Sequence, residues 1–286
     1  MPQTETVIRQ ALKEKVKPVL FINKVGRLIA ELQVTPEDMM QRFGKIITEV
    51  NKLISRMVPE EFKKEWMVDA QAGTVAFGSA YHNWATSLPF MAKKNVNFKQ
   101  IYEFMEKEQK RELAQAAPLH EVLLDMIVEK LPSADDAQKY RIPHIWRGEA
   151  EEDIGQAMVN ADGKGDSAFM VTKVVLDPHA GEIAVGRLFS GSIKKGDQMF
   201  VAGMPNANRV QSVGMFVGGD RIATETVTAG NIIAVSGLRD AQSGSTISSN
   251  KEMTPFERIV HNSDPVVTTA IEAKHTKDLP KLVEVL

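Results

Sequence analysis

Apolar positions along the chain fall into two textures. Up to about residue 150 they recur at helical spacing, broken by short continuous apolar runs; from about Ile154 they sit in short segments punctuated by Gly, Asp and Asn. Val7, Ile8, Ala11 and Leu12, following Thr4-Glu5-Thr6, predict a short amphipathic helix leading into Lys17–Ile22. Within that stretch Val19-Leu20-Phe21-Ile22 is a continuous apolar run behind Pro18, the pattern of a strand buried on both faces of a parallel sheet. Thr35-Pro36-Glu37-Asp38 reads as a helix start, with Thr at the N-cap, Pro at the first position and acids in the first turn. Met39, Phe43, Ile46, Ile47, Val50, Leu53, Ile54 and Met57 carry that helix as a packing stripe to Val58-Pro59.

Further on, Trp66-Met67-Val68 and Thr74-Val75-Ala76-Phe77 flank Asp69–Gly73 and predict a hairpin or strand pair. Tyr81–Met91 and Phe98–Met105 read as helices, and Glu103–Glu112 as a solvated charged face. Leu119, Val122, Leu123, Met126, Ile127 and Leu131 form another helical stripe, halted at Pro132-Ser133-Ala134-Asp135-Asp136. Residues 132–155 read as an interdomain connector.

Phe169–Leu176, Glu182–Phe189, Gln198–Ala202, Arg209–Val217 and Gly230–Leu238 then alternate with turns at all-β spacing. Ala184, Gly186 and Leu188 occupy one face of their strand, and Ile183, Val185, Arg187 and Phe189 the other. Small residues on one side suit a tightly curved, closed barrel. At Ser263-Asp264-Pro265 a third unit begins, with a strand expected at Val266–Ile271 and a helix that starts over Asp278–Leu282 and is cut at Leu286. One strand and a short helix cannot bury a core, so the chain is expected to be a fragment of a longer protein.

A length of 286 residues suits two domains. The formal net charge of -2 speaks against a general nucleic-acid or membrane-surface binder. With no cysteine there is no disulfide framework, thiol catalysis or Cys-ligated zinc. No apolar run reaches membrane-spanning length, so a soluble, cytoplasmic protein is expected.

The candidate chemistry sits where the first apolar strand ends. Open α/β sheets bind ligands at the carboxyl ends of their strands, and Asn23 and Lys24 occupy that place. GTPases read guanine with Asn-Lys-x-Asp after such a strand. The Asn amide addresses the N7/O6 edge, the Lys stem lies over the ring, and the Asp carboxylate accepts from N1–H and the exocyclic amine. Here the fourth position is Gly26. A second candidate is Gly78-Ser79-Ala80, a small-residue turn that lets backbone N–H groups approach a ligand. The plain alternatives are a solvated strand-to-helix connection and an ordinary turn. The sequence contains no GxxxxGK[ST] to cradle phosphates and no GxGxxG after a strand. Its histidines, at 82, 120, 144, 179, 261 and 275, show no metal-ligand spacing.

In several stretches the chain resembles the ribosomal translocation GTPases, the elongation factor two family of archaea and eukaryotes. These include PQTETVIRQAL (2–12), VKPVLFINKVGR (16–27), GTVAFGSAYHNWA (73–85), YRIPHIWRGE (140–149), VLDPHAGEIAVGRLFSGSIKKGD (175–197), AGNIIAVSGLRDAQSGSTI (229–247) and residues 264–286. The resemblance implies an α/β plus all-β fold. Residues 1–110 would be the C-terminal part of a P-loop GTPase domain, 111–155 a helical connector, 156–262 a translation-factor β-barrel, and 263–286 the truncated start of a ferredoxin-like third domain. It implies a role in GTP-dependent translocation of tRNA and mRNA, with the barrel facing small-subunit rRNA and protein of the ribosome. Asn23, Lys24, Ser79 and Ala80 match the family's base-binding loops, the Ala80 N–H pointing at O6. GTP or GDP and magnesium would serve the intact parent; this chain is expected to hold neither and to carry no catalytic residue.

Gly26 departs from the family's Asp. Losing two hydrogen bonds to a charged acceptor, each worth about 1.5–3 kcal/mol, weakens guanine binding by about two to four orders of magnitude. No GTP hydrolysis by this chain is expected. Two alternatives stand beside this: a non-catalytic β-barrel module with a helical adaptor that binds ribosomal RNA or protein without nucleotide, with Arg187, Lys194, Lys195 and Arg209 as candidate contacts, and an α/β enzyme with another ligand in the sheet crevice.

Overall fold

The computed structural model describes residues 2–32, 34–94, 96–177, 181–257 and 269–285. Its first part runs α1 (Pro2–Lys13), β1 (Leu20–Ile22), α2 (Val25–Ala30), α3 (Pro36–Met57), α4 (Glu60–Trp66) and β2 (Val75–Ser79). It continues with β3 (Trp84–Thr86), α5 (Leu88–Lys94), α6 (Phe98–Glu106), α7 (Lys110–Ala116) and α8 (Leu119–Lys130). β2 lies at the centre of a small sheet, parallel to β1 and antiparallel to β3, with Ile22 opposite Phe77 and Ser79 opposite Trp84. β2 is buried throughout, whereas β1 is buried only at Ile22 and half-buried at Leu20 and Phe21. Burial on both faces thus holds for β2 rather than for β1, which has one neighbouring strand among the described residues.

α3 begins as its sequence demands, with the Thr35 hydroxyl accepting the Asp38 N–H at 3.2 Å. Its stripe delivers Phe43 against Phe77 of β2, ring centroids 4.8 Å apart. The same core takes in Val122 and Met126 of α8.

Two expectations fail here. Trp66 ends α4 instead of starting a strand, and Asn51 pins Val68 by two hydrogen bonds, Nδ2 to Val68 O at 2.8 Å and Val68 N–H to Oδ1 at 2.9 Å. Asp69 then closes a compact turn through the Gln71 and Ala72 N–H groups. Without a strand before it, β2 finds its partners in β1 and β3. Tyr81–Met91 is not one helix: the His82 N–H reaches Ser79 O, and the Asn83 N–H reaches Ala80 O, both at 3.2 Å, forming a tight turn. β3 follows, and α5 starts only after the Ser87 hydroxyl accepts the Phe90 N–H.

α9 (Ala134–Ile145) and α10 (Asp153–Val159) link this part to the β structure. The Tyr140 ring of α9 packs against Phe62 and Trp66, at 5.2 and 5.9 Å. Just beyond the helix the Trp146 indole donates to Thr254 O at 2.7 Å. Residues 132–155 therefore pack on both sides rather than spanning free space.

The β part comprises β4 (Ala168–Asp177), β5 (Gly181–Ser190), β6 (Ser192–Lys194), β7 (Gln198–Val201), β8 (Ala207–Arg209) and β9 (Ser212–Val217). It goes on through β10 (Asp220–Thr224), β11 (Thr226–Thr228), β12 (Ile232–Ser236) and β13 (Thr246–Ser248). Eight strands join in the order β10-β9-β12-β5-β4-β13-β7-β8, and β11 pairs with β6. Phe169, Leu188, Met199, Val213, Val227 and Ile247 share one core, although they come from strands far apart in that order and from the β6–β11 pair. The sheet is therefore curled around its contents as a barrel. Gly186 permits the curl, since a Cβ there would lie 1.9 Å from Met170 O on β4. Both faces of β5 are covered: Ala184 and Leu188 line the barrel core, while Phe189 packs beneath α9 with Ile142 and Phe256.

The expected strand Val266–Ile271 lies mostly outside the described residues, and its described end, 269–271, has no regular structure. The start of the third unit at 263–265 also lies outside them. A 3-10 turn, Thr276–Asp278, leads into α11 (Leu279–Val285), in agreement with the helix expected there.

Candidate functional site

β1 ends at Ile22, and the chain must turn sharply to enter α2. Lys24 makes that turn in the left-handed region, φ 66° and ψ 24°, without a side-chain cap. For a residue with a Cβ this conformation is strained, and such strain concentrates where ligands are held. The Asn23 carboxamide supports it, because Oδ1 accepts the Lys24 N–H at 2.7 Å. The same oxygen accepts the Ala80 N–H at 3.0 Å. One side chain therefore fastens the loop after β1 to the turn after β2, leaving the Asn23 Nδ2 donors outside these bonds.

Gly26 is buried in the first turn of α2 and faces the second loop. A Cβ there would lie 3.0 Å from Met105 Cε, 3.5 Å from His82 Cδ2 and 3.8 Å from Ser79 Cβ. Ser79 is buried at the end of β2, while Ala80 and Lys24 are exposed. Asn23, Lys24, Gly26, Ser79 and Ala80 thus meet at one corner, at the carboxyl ends of the two parallel strands.

Three residues of this corner escaped the sequence reading. His82 packs beside Gly26; burial pushes its pKa below the ordinary 6.5, and the nearby charge of Lys110 pushes the same way. Tyr81 is almost fully exposed, its ring edge-on to His82 at 4.9 Å. Met105 arrives from α6. Only the nearness of Tyr81 and His82 to Ala80 in sequence could have signalled the first two, and nothing in the sequence signals Met105.

The corner presents some of the groups that chemistry requires for holding a planar base. Asn23 Nδ2 is a donor suited to ring N7, and the exposed Lys24 stem suits the ring face. Position 26 supplies no carboxylate for N1–H and the exocyclic amine. The Ala80 N–H, which the resemblance aims at O6, is here held by Asn23 Oδ1, the acceptor that a strand-end amide finds first. Among the described residues, no group of three His, Asp or Glu side chains is placed to hold a metal ion. No described helix is long and apolar enough to cross a membrane.

Lys194, Lys195 and Arg209 are all exposed, and a Cβ at Gly196 would lie 3.8 Å from the Arg209 guanidinium. The structure thus groups these three basic residues around the β6–β7 turn. It does not bring Arg187 to them: that side chain is half-buried on the β5 face that carries Phe189.

Residues 1–133 match the family described as Elongation factor Tu GTP binding domain, and residues 181–248 the family described as Elongation factor Tu domain 2. The whole chain aligns with elongation factor 2 of Picrophilus torridus at 58% identity, and with those of Methanococcus maripaludis and Thermococcus gammatolerans at 57%. The chain spans 39–40% of the length of these curated relatives.

Proposed function

We propose that this chain, which aligns along its whole length with elongation factors 2, carries the guanine-reading corner and the ribosome-facing barrel of a translocation GTPase. The observation that carries this is the bond from the Ala80 N–H to Asn23 Oδ1. It unites two loops, distant in sequence, that together present an amide, a lysine and a small-residue turn at the carboxyl ends of parallel strands.

Asn23 and Lys24 would orient the base, and Ser79-Ala80 would close its edge. Gly26 leaves the polar edge of guanine without an acceptor, so recognition is weak and poorly selective. When bound, the nucleotide and its magnesium would supply the phosphoanhydride whose cleavage drives translocation in the intact parent. The sequence contains no GxxxxGK[ST] to cradle that phosphate chain, so hydrolysis of GTP by this polypeptide alone is not expected. The layout proposed is a GTPase-domain portion at 1–110, a helical connector at 111–155, the barrel at 156–262 and the start of a third domain at 263–286, all cytoplasmic.

Titration with a fluorescent guanine nucleotide tests the corner. No saturation below about millimolar is expected for this chain, and micromolar binding contradicts the account.

The cluster of Lys194, Lys195 and Arg209 supports a second reading, a barrel that binds rRNA without nucleotide. Nucleotide-independent co-sedimentation with ribosomes, lost on Lys194→Glu with Lys195→Glu, would favour it.

A further inference from the structure

We propose that Arg141 of α9 and Arg187 of β5 form a binding site for a phosphate-class oxyanion between the connecting helix and the barrel. The site is separate from the guanine-reading corner and does not rest on that reading.

Hydrogen bonding fixes how α9 lies on the sheet. The start of the helix rests at the head of β12, where a Cβ on Gly230 would be 3.3 Å from Ala134 Cβ. One turn on, Gln138 Nε2 donates to Phe189 O of β5 at 2.9 Å and to Met158 O of α10. Arg141 follows Gln138 by three residues and shares its helix face. Arg187 precedes Phe189 by two and shares its strand face. α9 thus crosses β5 with the two arginines on the facing surfaces.

Their charges are uncompensated. Arg141 Nε is buried without a hydrogen-bond partner. Arg187 is half-buried, and both desolvation and the charge of Arg141 push its pKa down. Among the described residues, neither guanidinium has an ion-pair partner, whereas Arg9, Arg27 and Arg147 each hold a glutamate. Two of the acids near α9 are taken elsewhere: Asp136 by Lys139 and Ser133, and Glu65 by Lys17. Arginine keeps its proton in any protein environment, so two guanidiniums near enough to feel each other's charge, one with its Nε buried and the other half-buried, call for an anion.

The chemistry favours phosphate over carboxylate. Two planar donor forks match an oxyanion with several acceptor oxygens. On the same helix face, Gln138 Oε1 is buried and accepts nothing. A hydrogen phosphate has an O–H to offer it, which a carboxylate lacks.

The test is thermal unfolding of the full chain in inorganic phosphate and in sodium chloride at matched ionic strength. Phosphate is expected to raise Tm beyond chloride, and Arg141→Met or Arg187→Met to abolish the difference. Arg187→Lys keeps the charge but loses the fork, so it should bind phosphate about tenfold more weakly and serves where a methionine variant does not fold. Displacement of phosphate by a short oligoribonucleotide assigns the anion to an RNA backbone, and failure to displace assigns it to free phosphate; both outcomes keep the site. Equal effects of phosphate and chloride, persistence of the phosphate effect in the double methionine variant, or equal stabilisation by acetate or an acidic peptide would each overturn it.

Discussion

Asn23 Oδ1 accepts the backbone N–H of Ala80 at 3.0 Å, joining the ends of β1 and β2. The same oxygen holds the strained Lys24 backbone through its N–H at 2.7 Å. Both bonds are on the exposed side of the corner, so their net worth is modest and their effect is chiefly on geometry.

Asn23→Ala should cost about 1 kcal/mol in urea unfolding. It should also raise hydrogen exchange at the Ala80 amide, while leaving the barrel amides unchanged. Unaltered exchange at Ala80 would show that the bond does not order the turn.

His82 carries a pH dependence. Burial disfavours its imidazolium, so its folded pKa lies below the value of about 6.5 that it keeps in the unfolded chain. The unfolded state takes up the proton first as pH falls. The contribution of His82 is therefore complete above about pH 6.5 and is lost as pH falls from there to the folded pKa. An NMR titration should place the His82 midpoint below 6.5. Gly26→Asp, which sets a carboxylate beside the imidazole, should raise it; an unmoved midpoint would refute the contact between position 26 and His82.

Gly186 is where β5 and β4 press together in the barrel wall. Gly186→Ala sets a methyl group 1.9 Å from Met170 O, a backbone atom that cannot swing aside. A loss of about 2–3 kcal/mol in unfolding free energy is expected, and a loss under about 0.5 kcal/mol would contradict the close approach.

The long elements were legible because their stripes were long. Met39 through Ile54 repeats at helical spacing behind a Thr-Pro-Glu-Asp start, and the barrel strands show both alternation and turn residues. The short elements were not. Trp66–Val68 has the side chains of a strand, yet the choice between helix end and strand was made by Asn51, a distant side chain on α3. Tyr81–Met91 looks helical, yet Trp84–Thr86 is claimed by β2, and the Ala85 N–H by Ala117 O. At the candidate site Asn23 and Lys24 were marked by their place after an apolar run. The packing of Met105 against Gly26 depends on α6 folding back, which no local pattern encodes.

The central claim, a guanine-reading corner lacking its discriminating carboxylate and any phosphate cradle, is tested most directly at position 26. There an added Cβ must displace only the flexible end of Met105. The chain and its Gly26→Asp variant are titrated side by side with fluorescent guanine and adenine nucleotides, and phosphate release from GTP is followed. The account predicts no saturation below about millimolar for the chain, guanine-selective binding tighter by about two orders of magnitude or more for the variant, and hydrolysis by neither. Equal affinity of the two proteins for guanine nucleotide, or GTP hydrolysis by the unaltered chain, would contradict it.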